Sequence, residues 1–358
     1  MAGTRTVLQE SVRGGRGARP STRRRFVALS GAALAGAGRL VAAAGAPATA
    51  GAADGRDAAT LRIAKQPGLG YLPLLVMREL RLLERRAPGV AVEWVEQTVN
   101  RTGPIGEARV AGTLHVGAGG PAVFFQGWDR GFAWKTTGAL CTMPLYLVAN
   151  RPELRTLKDF GPGDTIALPA PGGNQHVFLQ MAAAQELGDA HALDHLVVGM
   201  SHADAQAALL AGRVAAHFGS PPFQYDELAQ GGPDFGVVVD TYTVMGGPHT
   251  FTLTWAMEDW ATGNPGLFDA FVAALQEATA FIGDDPAAAA RLYVDGEPSR
   301  LSPDEILRQL RGDGVAFTTT PRGFLPYAAF LRQLGAVEQV PATWEAYAFP
   351  HLHGPHGS

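Results

Sequence analysis

The chain has 358 residues, 46% of them apolar and 17% charged, which fits a globular protein with a sizeable core and excludes a disordered one. Its net charge of −4 includes an Arg-rich N-terminus, so the remainder is more acidic still, which argues against a nucleic-acid partner. A single cysteine, Cys141, rules out an intramolecular disulfide and any cysteine-cluster metal site.

The chain opens on an export signal. Thr22-Arg-Arg-Arg-Phe26 carries twin arginines, and a weakly apolar Ala/Gly-rich run follows to Ala48-Thr-Ala50, a small-residue cleavage site. Arg39 interrupts that run, so it reads as a twin-arginine signal peptide over residues 1–50 rather than as a membrane span. An Arg-rich leader with no targeting role is the alternative. No later segment reads as long and apolar enough to span a bilayer, and the exported protein is expected in the periplasm as a soluble monomer.

From Leu61 the chain alternates strand and helix. Leu61–Ala64 reads as a strand, Gln66-Pro-Gly-Leu-Gly-Tyr71 as a turn, Leu72–Arg86 as one helix and Val90–Val95 as a second strand. Such alternation predicts α/β architecture with mostly parallel sheets.

Two stretches one hundred positions apart then repeat a plan. Ala111-Gly112 closes a helix, Leu114–Val116 is a strand, and Gly119-Gly120-Pro121 opens a helix. Ala211-Gly212, Val214–Phe218 and Gly219-Ser220-Pro221 do the same. Proline suits the first helical turn, where its missing N–H costs nothing. Between them, Thr165–Gly188 reads as strand, Pro/Gly-rich turn and helix, with Gly188 as C-cap. Gly172 and Gly173 permit close backbone approach, and the helix start beyond them offers unpaired N–H groups. A βα turn with no ligand is the plain alternative.

Three enzyme-like signals carry little. Gly117-Ala-Gly-Gly-Pro-Ala122 matches G-x-G-x-x-A but lies outside a first βα unit and lacks the acidic residue downstream. Gly199-Met-Ser-His-Ala203 resembles a nucleophile elbow, yet Ser201 and Asp204 have capping-box spacing. His351, His353 and His356 lie in a Gly/Pro-flanked tail, residues 349–358, expected to be disordered.

Several segments together resemble the solute-binding proteins of ABC importers in the nitrate/sulfonate/taurine-binding family, which includes binders of thiamine-pyrimidine precursors. These are the turn Lys65–Tyr71, Leu157-Lys-Asp-Phe-Gly161, Gly172-Gly-Asn-Gln-His176, Ala208-Leu-Leu-Ala-Gly-Arg-Val-Ala-Ala216 with Pro222-Phe223, and Asn264-Pro265 before an apolar helix over Phe268–Phe281. The resemblance implies a two-lobed type II periplasmic-binding-protein fold. Residues 61–142 and 251–348 would form lobe I and residues 149–243 lobe II, with crossings near Met143–Val148 and His249–Leu253. It implies no enzyme activity, no cofactor and no metal, a small-molecule ligand between the lobes, and delivery to a membrane permease. The ligand residues implied are Gln66, Tyr71, Gly119, Gly120, Gly172, Gly173, Asn174, Gln175, Ser220 and Tyr242.

The chain departs from the family pattern at Ala215 and His115, where aspartates are usual, and at Gly173-Asn174, where a hydroxyl pair is usual. The ligand expected is a small organic molecule, sulfonate-like or aromatic and pyrimidine-like. The missing hydroxyls and the scarcity of cations beyond Lys65 and Lys135 favour a neutral or aromatic one. Phe124, Phe125, Trp128, Phe223 and Tyr242 are its candidate stacking partners, core packing being the alternative for Phe124 and Phe125. An enzyme of similar architecture, a pyrimidine-precursor synthase or a hydrolase using Ser201, is the second reading.

Overall fold

The computed structural model describes residues 60–96, 114–354 and 357–358. The expected export signal, the helix end at Ala111-Gly112 and His356 lie outside them.

The first strand, β1 (Thr60–Lys65), buries Leu61, Ile63 and Ala64. After the turn the expected single helix is two, α1 (Leu72–Glu79) and α2 (Leu82–Arg86). Between them Arg81 adopts a left-handed φ of 50°, and adjacent Leu82 and Leu83 both turn into the core. The next strands are β2 (Ala91–Glu96), β3 (Val116–Gly119), β4 (Trp134–Thr142), β5 (Tyr146–Ala149) and β6 (Ile166–Leu168). They are followed by β7 (Val197–Gly199), β8 (Ala216–Phe218), β9 (Gly236–Asp240), β10 (Thr250–Met257) and β11 (Ala316–Phe317).

Two sheets result. One has strand order β11-β4-β10-β3-β1-β2 and the other β7-β6-β8-β5-β9. The chain leaves the first sheet by β4 and returns to it by β10, so β4 and β10 run antiparallel, as do β5 and β9 beside each other in the second sheet. The sheets are therefore mixed, whereas the sequence predicts mostly parallel ones; β1–β2, β1–β3, β6–β7 and β6–β8 keep the parallel pairing.

The helices that matter for the site are α3 (Pro121–Asp129), α4 (Asn174–Leu187), α5 (His202–Leu210), α6 (Phe223–Gly231) and α7 (Thr241–Met245). After α8 (Glu258–Gly263) comes α9 (Pro265–Asp284), then α10 (Pro286–Gly296), α11 (Pro303–Leu310) and α12 (Phe324–Gln333). Among the described residues α9 is long and apolar enough to cross a membrane, which the sequence reading missed. It buries Phe271, Ala274, Leu275, Ala278 and Ile282 in the same core cluster as α1, the periodicity of a packed amphipathic helix.

The glycines of β3 serve packing, not phosphate binding. A Cβ on Gly117 would overlap the Trp255 indole, and one on Gly119 would stand 3.0 Å from it. Strand β3 begins at Val116, two residues later than its expected start, and His115 before it accepts the Arg62 N–H at 3.1 Å and stacks on Trp260. Phe124 and Phe125 are likewise core: they pack on Trp134, Phe324, Tyr327 and Tyr347 and are at most 1% exposed. Among the described residues of the expected tail, several are held against the rest of the chain. Pro350–Leu352 forms a 3-10 turn, His351 Nε2 lies 3.0 Å from the Thr137 carbonyl, and His353 Nε2 lies 3.1 Å from the Glu345 and Ala348 carbonyls.

Candidate functional site

Four strand-end corners converge between the two sheets. Two come from the first sheet: the turn 66–71 after β1, and Gly120-Pro121 between β3 and α3. Two come from the second: residues 169–173 between β6 and α4, and Gly219–Pro222 between β8 and α6. The carboxyl ends of parallel strands are where open α/β sheets hold small molecules, because helix starts and flexible turns gather there.

The corners touch in pairs. A Cβ on Gly120 would stand 3.0 Å from Asn174 Cβ and Cγ, so the α3 and α4 corners meet there. Gln126 Nε2 donates to the Gly172 carbonyl at 3.4 Å across the same junction. The Leu69 N–H donates to the Pro221 carbonyl at 3.3 Å, which joins the β1 turn to the β8 corner. Gln66 is turned inward, its Nε2 donating to the Ala118 carbonyl at 2.8 Å. Tyr71 lines a neighbouring pocket with Lys65, Gln66, Gly68, Arg78 and Glu297.

The turn before α4 is held from behind. Gly172 has a left-handed φ of 77°, which glycine tolerates and other residues resist. Its N–H donates to His176 Nδ1 at 2.9 Å, so His176 carries its proton on Nε2 and donates it to Asp194 at 3.0 Å. Gln180 and His191 hold the same carboxylate. Burial lowers the His176 pKa, keeping the ring neutral and able to accept from Gly172.

Asn174 is the residue whose chemistry is left open. Its Oδ1 accepts the Tyr327 hydroxyl at 2.6 Å, while its Nδ2 is buried at the Gly120 junction with no protein partner. An unmet buried amide donor costs about 1–3 kcal/mol, so a ligand acceptor placed there recovers that loss. Neither Gly120 nor Gly173 provides a side-chain cap, so the starts of α3 and α4 present backbone donors and positive dipole ends to the junction.

Ser220 and Gln175 lie on the same side as each other, both beside His202: Ser220 Oγ is 3.1 Å and Gln175 Nε2 is 3.4 Å from its Nε2. His202 was invisible as a site residue in the sequence. Gly119 sits under Trp255 rather than at the junction, and the absence of a Cβ at Gly173 lets it close on the Ala170 carbonyl, 3.0 Å away. Tyr242 belongs with the crossing segments: its hydroxyl donates to the Gly314 carbonyl at 2.7 Å and its ring packs on His249.

Ser201 is a helix cap. It accepts from the Asp204 N–H at 3.1 Å and donates to that carboxylate at 2.6 Å, which commits the oxygen a nucleophile would need. Lys65 and Lys135 pair with Glu96 and Glu258 at 3.2 and 3.1 Å. Of the candidate stacking residues, Trp128 packs on Tyr347 and Phe223 stacks on His202.

No family model matches the sequence, and no curated protein matches it. Solved structures do. The alkanesulfonate-binding protein SsuA from Xanthomonas axonopodis pv. citri, bound to MOPS, is 23% identical with a TM-score of 0.59, over 72% of this chain and 86% of that one. The periplasmic aliphatic sulphonate binding protein SsuA from Escherichia coli is 22% identical with a TM-score of 0.60, over 78% and 94%. A Candida albicans protein described as having the generic periplasmic binding protein structural fold is 11% identical with a TM-score of 0.57, over 79% and 92%. The chain has the two-lobed periplasmic-binding-protein fold.

Proposed function

We propose that this protein is the extracytoplasmic solute-binding component of an ABC importer, exported by its twin-arginine signal and acting as a monomer. It holds a small organic molecule where the four corners meet, the lobes close over it by hinge motion at the crossings 143–145 and 246–249, and the closed form is presented to a membrane permease. No bond is made or broken. The observation that carries the reading is the buried, unpartnered Asn174 Nδ2 at the junction of the two lobes. The fold it shares with two sulfonate-binding proteins supports it further.

The groups facing the junction are donors, namely the Asn174 amide and two uncapped helix starts. A head group rich in acceptor oxygens, sulfonate-like, satisfies them better than an aromatic ring, since Phe124 and Phe125 are committed to the core. Titration calorimetry with methanesulfonate, taurine, MOPS and cytosine tests this. At least one sulfonate is expected to bind, and Asn174→Ala to weaken it by about 10–100-fold, the loss of one buried hydrogen bond. Binding of cytosine alone, or an unchanged Asn174→Ala variant, counts against the assignment of head group and site.

A further inference from the structure

Behind the candidate site a chain of four polar side chains runs into the second lobe. Ser220 Oγ lies 3.1 Å from His202 Nε2, His202 Nδ1 lies 2.9 Å from His217 Nε2, and His217 Nδ1 lies 2.5 Å from Glu227 Oε1. His217 sits in the middle of the three-residue strand β8, and Glu227 on α6; both are fully buried. Resting on the solute-binding reading above, we propose that the Ser220 hydroxyl is the specificity-determining donor of the cleft, and that His202, His217 and Glu227 are positioning residues that fix the direction in which it donates.

Such a chain has two self-consistent directions, because each link needs one donor and one acceptor. Running inward, Ser220 donates to His202, His202 Nδ1–H donates to His217, and His217 Nδ1–H donates to a Glu227 carboxylate. That direction is the arrangement of an activated serine, with His202 Nε2 free to take the hydroxyl proton. Running outward, a protonated Glu227 donates to His217 Nδ1, His217 Nε2–H donates to His202 Nδ1, and His202 Nε2–H donates to Ser220. The serine hydroxyl is then left to donate into the cleft.

The surroundings of Glu227 choose between them. Its second oxygen, Oε2, is buried with no protein partner. Among the described residues no Lys or Arg pairs with it, its one ion-pair contact being His217. Asp226 stands next to it on α6 and further disfavours a second negative charge there. Asp204, on α5, is engaged with Ser201, and the nearby Tyr225 is kept a neutral phenol by burial. A buried carboxylate with one oxygen unsolvated costs several kcal/mol more than a neutral carboxyl with the same orphan, so the outward direction holds. Burial pushes the Glu227 carboxyl well above its usual range, and holds His202 well below its own and His217 down to about 3. Gln175 then turns its amide oxygen, not its nitrogen, toward His202, the two orientations being alike in shape.

Two consequences follow for the ligand. A head group presenting acceptor oxygens at Ser220 is matched by the serine O–H, whereas one presenting N–H donors leaves that proton unused and has only the second lone pair of the hydroxyl to meet, so it is disfavoured. Ser220 is not a nucleophile, because the ring nitrogen that would take its proton already carries one.

Nitrogen-15 NMR of the histidine side chains in the whole protein tests this without any ligand. Both His202 and His217 are expected as the Nε2–H tautomer, unchanged from pH 5.5 to 8. An Nδ1–H tautomer on either ring, or labelling of Ser220 by a fluorophosphonate, overturns the proposal. With methanesulfonate as probe, Glu227→Gln is expected to keep affinity within about 3-fold, since its amide N–H donates to His217 as the carboxyl does. Glu227→Leu is expected to weaken binding about 10-fold or more and to release the tautomer; equal affinity of the two variants overturns the positioning role. If the leucine variant does not fold, the wild-type tautomers still decide. If methanesulfonate does not bind at all, the head-group reading above fails while the tautomers continue to test the direction of the chain.

Discussion

Gly120→Val is expected to abolish ligand binding while leaving the protein folded. Gly120 has φ −83° and ψ 162°, an extended conformation that valine adopts readily, so nothing in its own backbone resists the change. The obstacle lies across the junction. A Cβ there already stands 3.0 Å from Asn174 Cβ and Cγ, and the two valine methyls reach further. Since the obstructing residue belongs to the other lobe, the variant holds the corners apart rather than straining either one. A loss of more than 100-fold in affinity is expected, about 2.7 kcal/mol. The melting temperature of the free protein should move by no more than about 3 °C. Calorimetry and a thermal melt on the same preparation separate the two effects. Unchanged affinity places the ligand elsewhere.

The second large effect is acid lability. His202, His217 and His249 are buried and held neutral, His217 to about 3 and His249 to about 4, chiefly because burial disfavours the charged ring. For His249 the bonds agree with that state: Nδ1–H donates to the Thr250 carbonyl at 3.2 Å and Nε2 accepts from the Thr241 hydroxyl at 2.9 Å, beside the returning crossing. Above pH 6.5 these rings are neutral in both the folded and unfolded chain and contribute nothing to pH dependence. As pH falls below 6.5 the unfolded chain takes up protons that the folded one refuses, so stability is lost. Each ring contributes a slope approaching about 1.4 kcal/mol per pH unit, continuing down to its folded pKa. Glu227 acts in the opposite sense, because its carboxyl is protonated in the folded chain and ionises on unfolding, which offsets one ring. Exposed His191, raised by its bond to Asp194, does likewise, whereas His176, lowered by burial, adds to the fall. Denaturant melts between pH 6.5 and 5 should therefore show a steep fall in stability, shallower in a His217→Gln variant. A flat profile contradicts the neutral, buried state of these rings.

The corners were legible because their signals are local. Gly188 takes the left-handed conformation, φ 77°, that closes α4, and Ser201 caps α5 through Asp204, three residues on. The repeated Gly-x-Pro plan marks the strand ends at Gly120-Pro121, which meets Asn174, and at Ser220-Pro221, which meets the turn after β1. What the sequence hid depends on partners far along the chain. The glycines of β3 look like a ligand loop until Trp255, well over one hundred positions later, is laid across them. Phe124 and Phe125 look like stacking residues until the C-terminal Phe324, Tyr327 and Tyr347 surround them. His202, His217 and Glu227 meet only once β8 is in its sheet. One signal was available: a histidine at the centre of the fully buried run Ala216-His217-Phe218 needs a polar partner in the core. The break at Arg81 gave none, since a left-handed arginine carries no composition cue.

Native mass spectrometry of the protein, purified gently from its own cells, tests the central claim most directly. One small molecule per chain is expected, released intact on denaturation, bearing an acidic oxygen-rich head group, and absent from the Gly120→Val variant. A chain that carries the same molecule with and without the valine, or a mass joined covalently to Ser220, would contradict a solute held reversibly between the lobes.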